Sequence, residues 1–337
     1  MVHDDGNRSG PENEPRVRKP VNPVVTFGKY VLAAVPIVWI FHIIDLDKLG
    51  SSLRSTEVWT VPVMAVLIVL LMVLQGVKWW MLLRAFLPHL SIAEVLSCHF
   101  KGIYYSIFLP TSAAQDVVRT VLLARSSDYG IVWGATWLAR ISGLMVMLAL
   151  SVYGMFTIDA ASGPPGTGVL LALSGAVIGG MGIISFSKRF TRGLRMTGAK
   201  LLPRKVMATI EHVREGIYRY RDKRSCLVQV LLVTVIAQSL MVLNAVFLIR
   251  GITGRFYFAE CFTYIPLIEI VCLSVPLTPN GIGVRDALSA LMFHKIGLPS
   301  EQLGTYVILG FASIVLKVVG GVPVLFESIA ALRKKSD

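Results

Sequence analysis

Two short stretches carry the polar chemistry of an otherwise apolar chain. The first is Ser274-Val-Pro-Leu-Thr-Pro-Asn-Gly-Ile-Gly-Val-Arg-Asp286, which sets Pro279, Asn280, Gly281, Gly283, Arg285 and Asp286 at the end of a hydrophobic run. Pro276 and Pro279 lack a backbone donor and interrupt a helix, while Gly281 and Gly283 accept dihedrals that other residues avoid. Amides freed by such a break, with a guanidinium beside them, make an anion site; the alternative is an ordinary interhelical turn. The second stretch is Leu109-Pro-Thr-Ser-Ala-Ala-Gln-Asp-Val-Val-Arg119, which also follows an apolar segment, breaks at a proline and ends in Asp116 and Arg119. Unwound backbone survives in hydrocarbon only when buried in protein or lining a watery cavity. A matched pair of breaks therefore favours a binding site over two unrelated turns.

Further charges lie inside apolar sequence. Arg140, Glu269 and Lys317 fall within hydrophobic segments, and Glu94 and Lys101 fall in the segment before the first break. Such residues are costly in lipid, and they are candidates for substrate contact or ion coupling. The alternative is a structural ion pair, such as Glu269 with Arg140 or Lys317. Arg119, Arg140, Arg285 and Lys317 gathered against fewer acids would suit an anionic head group, because the arginine fork binds phosphate oxygens two at a time. Asp116, Glu269 and Asp286 are the candidate proton carriers. His42, His89, His99, His212 and His294 share no spacing and read as interfacial or packing residues. The chain has no Gly-x-x-x-x-Gly-Lys-Ser/Thr loop, so passive or ion-coupled movement is expected rather than direct ATP use. No cofactor and no metal site are expected.

Composition sets the elements that must position these groups. Of 337 residues, 54% are hydrophobic and 16% charged, with a mean hydropathy of +0.67. Several runs reach the roughly 20 residues needed to span a bilayer. The class is all-α and polytopic. The formal charge of +13 does not mark a nucleic-acid partner, since most of the excess lies in short loops between apolar spans. Cys98, Cys226, Cys261 and Cys272 are scattered without metal-ligand spacing and read as small buried hydrophobes.

Residues 1 to about 22 are polar and predicted disordered, and the run from Val24 to Ile44 is too long for a signal-peptide core. It forms the first predicted span, with Arg16, Arg18, Lys19 and Lys29 marking its N-terminal side as cytoplasmic. Asp45 to Glu57 is predicted as an outer loop. A second span follows at Val58–Met81, with Lys78 and Arg84 at its inner end and Trp79 and Trp80 as interfacial anchors. Ile92–Leu109 and the short amphipathic piece Asp116–Arg125 flank the first break. A third span is expected at Ile131–Ile158 and a fourth at Val169–Phe186, separated by a loop with no Lys or Arg. Residues 188–224 are strongly basic, which predicts a cytoplasmic loop able to hold anionic inner-leaflet head groups, or to serve as a topology determinant and no more. A fifth span is expected at Cys226–Ile249. Phe258–Val275 and Asp286–Phe293 flank the second break, and Tyr306–Phe326 is the last span. The basic tail Arg333-Lys-Lys335 is expected to be cytoplasmic.

The sides then constrain the broken segments, because each must begin and end on the same face. Two half-depth hairpins, one from each face, satisfy this; two complete crossings in each place are the alternative. The expectation is about six full transmembrane helices plus two broken re-entrant hairpins. Span, broken hairpin, span occurs over residues 58–158 and again, inverted, over residues 226–326. Inverted repeats with discontinuous helices are a transporter signature, and the breaks mark the substrate site. Residues 23–330 are thus expected to form one transmembrane domain.

The same residues resemble a known family. Leu109-Pro-Thr-Ser-Ala-Ala-Gln-Asp-Val-Val-Arg119 is similar to the Pro-Gly-x-x-Gly-Gly-Asp-x-x-Arg signature of flippase-like membrane proteins related to the membrane region of lysyl-phosphatidylglycerol synthases. Pro279-Asn-Gly-Ile-Gly-Val-Arg-Asp286 resembles their Pro-x-Gly-x-Gly-x-Arg-Glu signature, and Trp137-Leu-Ala-Arg-Ile-Ser-Gly143 their Glu-Arg-x-x-Gly segment. Ala113, Ala114 and Gln115 stand where glycines are usual, Ala139 stands for the Glu before Arg140, and Asp286 stands for Glu. These departures imply a first loop that is less open or fitted to another head group. The chain ends about ten residues after its last predicted span, so the soluble aminoacyl-transferase domain is not expected. The resemblance implies a lipid translocase of the cell membrane, a flippase moving an anionic phospholipid or a polyprenyl-phosphate carrier between leaflets.

Two other readings stand beside that one. A membrane glycosyltransferase using polyprenyl-phosphate sugars draws only on Asp45-Leu-Asp47, whose paired acids suit a base or a metal ligand. A non-catalytic partner of a lipid-modifying enzyme fits the missing glycines. Homo-oligomerisation is left open, and nucleic acid is not an expected partner.

Overall fold

A computed structural model of the chain describes residues 46–107, 109, 113–124, 126–158, 166–186, 204–274 and 283–321. The span expected at Val24–Ile44, the polar N-terminus, the loop after Ile158, most of the first half of the basic loop and the end of the last span lie outside these residues. Pro279, Asn280 and Gly281 lie outside them too.

The described residues are helical, with no strand among them. In chain order the α-helices are α1 (Leu46–Ser55), α2 (Thr60–Arg84), α3 (Ile92–Ser106), α4 (Ala114–Leu123), α5 (Tyr129–Thr157), α6 (Thr167–Phe186), α7 (Arg204–Arg219), α8 (Arg224–Thr253), α9 (Phe258–Ser274), α10 (Val284–Lys295) and α11 (Ser300–Lys317). Among the described residues α2, α5 and α8 are long and apolar enough to cross a membrane. At about 1.5 Å per residue, the 10 residues of α4 and the 12 of α10 fall well short of a bilayer core about 30 Å thick.

Local sequence explains where the helices begin and end. Ser91 caps α3 by accepting the Glu94 amide through its hydroxyl at 3.2 Å, and Asp128 caps α5 by accepting Ile131 N–H at 3.1 Å. Such side chains satisfy amides that the first helical turn leaves unpaired. Helix α8 stops at Gly254, whose φ of +75° suits glycine in a left-handed cap. Within α9, Pro266 lacks the donor that would pair with Phe262 O. Nearby, Thr263 O accepts the Ser151 hydroxyl from α5 at 2.9 Å.

The helices assemble around two close pairs, α2 against α8 and α5 against α9. Small residues let the backbones approach: a Cβ on Gly251 of α8 would collide with Thr60 of α2, and one on Gly154 of α5 would collide with Thr263 of α9. Close approach through small residues is how helices gain packing contacts where lipid gives no hydrophobic drive. Helix α3 packs on α4 and on the 3-10 turn Val318–Gly321 that follows α11, while α10 packs on α9 and α11.

Two apolar clusters bracket the middle of the bundle. One gathers Trp79, Leu82, Leu83, Leu138 and Tyr220, and the other Ile249, Cys261, Tyr264, Ile268 and Phe293. Along α5 the first cluster uses Ile131 to Ala139 and the second takes in Leu148 and Leu150. The stretch between them faces a cavity.

Three sequence expectations change. Asp45–Glu57, expected as a loop, contains α1, because Leu49 and Leu53 stand one turn apart and pack against Val307 of α11. The basic segment contains α7, whose following residue, Tyr220, donates to Leu82 O at 2.9 Å. Trp79 is not an interfacial anchor: it is fully buried, and its indole N–H donates to the Thr136 hydroxyl at 3.0 Å.

Candidate functional site: a charged cavity between the broken segments

A cavity of about 360 Å³ lies among α2, α3, α4, α5, α8, α9, α10 and α11. Of the residues singled out in the sequence, it brings together Asp116, Arg119, Arg140, Glu269, Arg285, Asp286 and Lys317. Glu94 is exposed at the start of α3 and Lys101 is half-buried elsewhere on that helix; neither lines the cavity. Gly283 holds the N-terminus of α10 in place.

On one side, Asp116 organises two arginines. Its carboxylate accepts from Arg119 at 2.7 Å and from Arg140 at 2.9 Å, so α4 and α5 are joined through a single acid. Arg140 also donates to Leu273 O at 2.9 Å, one residue before α9 ends. Arg119 is 5% exposed, with its guanidinium 4.6 Å from the centre of the Trp79 ring, in cation–π range. It donates to His99 Nδ1 at 2.9 Å. The other ring nitrogen, Nε2, lies 3.1 Å from Met72 O. A carbonyl can only accept and a guanidinium can only donate, so these partners assign the proton of His99 to Nε2 and leave Nδ1 as the acceptor.

On the other side, Asp286 accepts Gly283 N–H at 3.0 Å, and its second oxygen lies 3.6 Å from Arg285 Nε. Gly283 has φ +81°, a conformation that favours glycine. Helix α10 therefore begins with the Asp286 carboxylate folded back on the Gly283 amide, where negative charge suits a helix N-terminus. The Arg285–Asp286 contact is long for a charge-assisted hydrogen bond. Among the described residues Glu269 and Lys317, which line the same cavity, form no ion pair with each other. The ion pair of Arg140 among the described residues is with Asp116 and not with Glu269.

Sequence reasoning missed several lining residues. Lys78 is 3% exposed and donates to Ala139 O at 3.0 Å, although its place near the end of an apolar run marked it as interfacial. The signal was the five apolar residues after it, Trp79 to Leu83, which bury it. His99, Gln238, Asn244 and Tyr306 also face the cavity. Neutral polar residues in an apolar helix carry no spacing signal.

With Lys78, Arg119, Arg140, Arg285 and Lys317 against Asp116, Glu269 and Asp286, the lining has five basic groups and three acidic ones. The same lining includes the apolar side chains of Met64, Ile68, Met72 and Met147. Basic and apolar side chains together make an amphipathic cavity among the helices. This arrangement defines an integral membrane protein of all-helical class with an internal polar site. The chain belongs to the lysylphosphatidylglycerol synthase TM region family, whose model matches residues 26–320. No curated protein matches it, and no solved structure does.

Proposed function

We propose that the protein is a lipid translocase that carries an anionic phospholipid or a polyprenyl-phosphate-linked lipid between leaflets. One observation carries this reading: the charged residues flanking the two breaks converge on one cavity with two more basic than acidic groups. A phosphate supplies the missing negative charge, and Arg285, loosely paired at 3.6 Å, is the group free to receive it. Arg119 and Arg140 complete the anion site once the phosphate competes for them with Asp116. The start of α10 at Gly283 offers the cargo backbone amides, and Pro279, Asn280 and Gly281 stay substrate-binding candidates by their place in the sequence. Glu269, Lys317, Asp116 and Asp286 are the groups that can couple movement to protons.

The architecture that serves this role has about six spans and two re-entrant hairpins, α3–α4 and α9–α10, in an inverted repeat. Equivalent pairs support it: α3 packs on the turn after α11 as α9 packs on α5, and α2 lies against its counterpart α8. Both termini and the basic segment are placed in the cytoplasm by their charge.

The test is lipid movement in proteoliposomes with tail-labelled phosphatidylglycerol and polyprenyl phosphate. Movement that disappears in Arg285→Ala is the expected result. No movement of any probe by well-folded protein would overturn the proposal.

A further inference from the structure

The amide side of the cavity has unmet hydrogen-bonding demand that no phosphate can satisfy. Gln238 of α8 is 2% exposed, lines the cavity, and its Oε1 has no hydrogen-bond partner. Asn244, also lining it, leaves Oδ1 unpartnered as well. The two are about 9 Å apart along the helix axis at the usual rise. Leaving such an acceptor buried and unpaired is costly, and phosphate oxygens are acceptors themselves. A ligand that brings donors of its own satisfies both acceptors.

Gly143 of α5 lets two polar side chains come together at the cavity edge. A Cβ placed there would stand 3.1 Å from Gln238 Nε2 and 3.9 Å from Lys78 Nζ. The two polar side chains thus converge over bare backbone. Lys78 already gives one N–H to Ala139 O and has further donors to offer. This corner presents the Gln238 amide, a donor and an acceptor at once, beside a lysine, and Asn244 adds a second acceptor farther along the cavity. A hydroxyl matches it, being donor and acceptor at once. An ammonium group would supply donors too, but it would stand beside Lys78 in a lining that already holds more bases than acids, where like charges repel.

We propose that Gln238 and Asn244, with Lys78 over Gly143, form a subsite for the hydroxyl groups of a polyol or sugar esterified to the phosphate. The arginines hold the phosphate and the α8 amides read what is attached to it. This deepens the translocase reading and rests on it only for the lipid source of the ester. The subsite selects hydroxylated head groups over bare or methylated phosphates and over aminated ones.

The experiment is titration of the full-length protein in nanodiscs with three short-chain lipids: phosphatidylglycerol, phosphatidylmethanol and phosphatidylethanolamine. The expected result is about tenfold tighter binding of phosphatidylglycerol than of phosphatidylmethanol, the yield of two ordinary hydrogen bonds. Phosphatidylethanolamine should bind no better than phosphatidylmethanol. Gln238→Leu should remove the preference while leaving phosphatidylmethanol binding unchanged, which also shows that the variant is folded. Gly143→Ala and Asn244→Leu should reduce the preference by separate routes. Equal binding of the lipids to the unaltered protein, absence of binding included, overturns the subsite, as does a preference that survives Gln238→Leu and Asn244→Leu. Tighter phosphatidylethanolamine binding overturns it in favour of an amine site. Soluble glycerol 1-phosphate that outcompetes the short-chain lipid assigns the same subsite to a free ester. Translocation in vesicles is read separately: a preserved preference without lipid movement removes the translocase reading and keeps the subsite, and movement without preference does the reverse.

Discussion

Asp116 and Arg140 meet at 2.9 Å between α4 and α5, and this one ion pair links both broken segments. Through its other oxygen Asp116 holds Arg119 at 2.7 Å, and through its other nitrogen Arg140 holds Leu273 O at 2.9 Å. One carboxylate thus stands between two guanidinium groups. The two segments cannot separate at this point without breaking a charge-assisted hydrogen bond.

Replacing Asp116 by Asn keeps the shape and removes the charge. Both arginines lose their shared counter-ion while remaining in a low-dielectric site. Asp116 is 23% exposed at its side chain, so the loss is less than for a fully buried pair, about 2 kcal/mol. We expect a lower unfolding temperature in detergent for Asp116→Asn, partly restored by added phosphate. An unfolding temperature equal to that of the unaltered protein would show that the pair contributes nothing.

Arg119 and Arg285 should separate stability from transport. Arg119 is wedged among Asp116, His99 and the Trp79 ring, so Arg119→Ala takes one of the two guanidinium partners of Asp116, leaves buried His99 Nδ1 without its donor and empties a packed site. We expect a loss of about 3 kcal/mol or more and low yields of folded protein. Arg285 has its recorded contact at 3.6 Å, so Arg285→Ala should fold normally and lose lipid movement. Arg285→Lys should restore only part of it, because a lysine cannot grip two oxygens in one plane. A folded, transport-competent Arg285→Ala variant would remove Arg285 from the site.

What the sequence made legible follows from how local each cue was. The breaks at residues 110 and 279 carry proline beside a nearby charge, a combination that no membrane helix hides, and the charges flanking them do converge. Lys78 was misplaced because a lysine near the end of an apolar run reads alike whether it faces the interface or a cavity. Trp79 went with it, since its burial depends on Arg119 and Thr136 arriving from other helices. Gln238 gave no cue because a neutral amide in an apolar stretch perturbs neither charge nor periodicity. Glu94 showed the opposite error: its charge drew attention, yet its place in the first turn of α3 keeps it at the surface. Helix α1 was read as a loop because ten residues with two packed leucines hold a helix only when α11 is there to cover them.

Gly102 tests how tightly the first hairpin is closed. A Cβ there would lie 2.8 Å from Gln115 O and 3.0 Å from Arg119 Cβ. The first of these is backbone and cannot rotate away, so α3 and α4 must part to admit a side chain. Gly102→Ala should cost about 1–3 kcal/mol as an overpacked contact, and it should displace Arg119 from His99. The expected readout is a lowered unfolding temperature together with weaker phosphatidylglycerol binding. The control Gly179→Ala, on α6 with no atom within 4 Å of its new Cβ, should leave both unchanged.

Glu57 gives a pH test outside the membrane-spanning segments. The Trp59 indole donates to one carboxylate oxygen, and Arg250 at the end of α8 donates to the other at 2.8 Å. These two hydrogen bonds, the indole first, hold the Glu57 carboxyl below its ordinary value of 4.5. A carboxyl lowered in the folded state stabilises the fold above its unfolded value, and that contribution disappears as pH falls through the folded value. The unaltered protein should therefore unfold at a higher temperature than Glu57→Gln at pH 7. The gap should narrow as pH drops below 4.5 and close once the carboxylate is protonated. Because the pair is solvent-facing, 0.5 M salt should shrink the gap at pH 7 as well, when the screening length falls to about 4 Å. A gap that is the same at pH 7 and pH 3 would mean that Glu57 acts through packing and not through its charge.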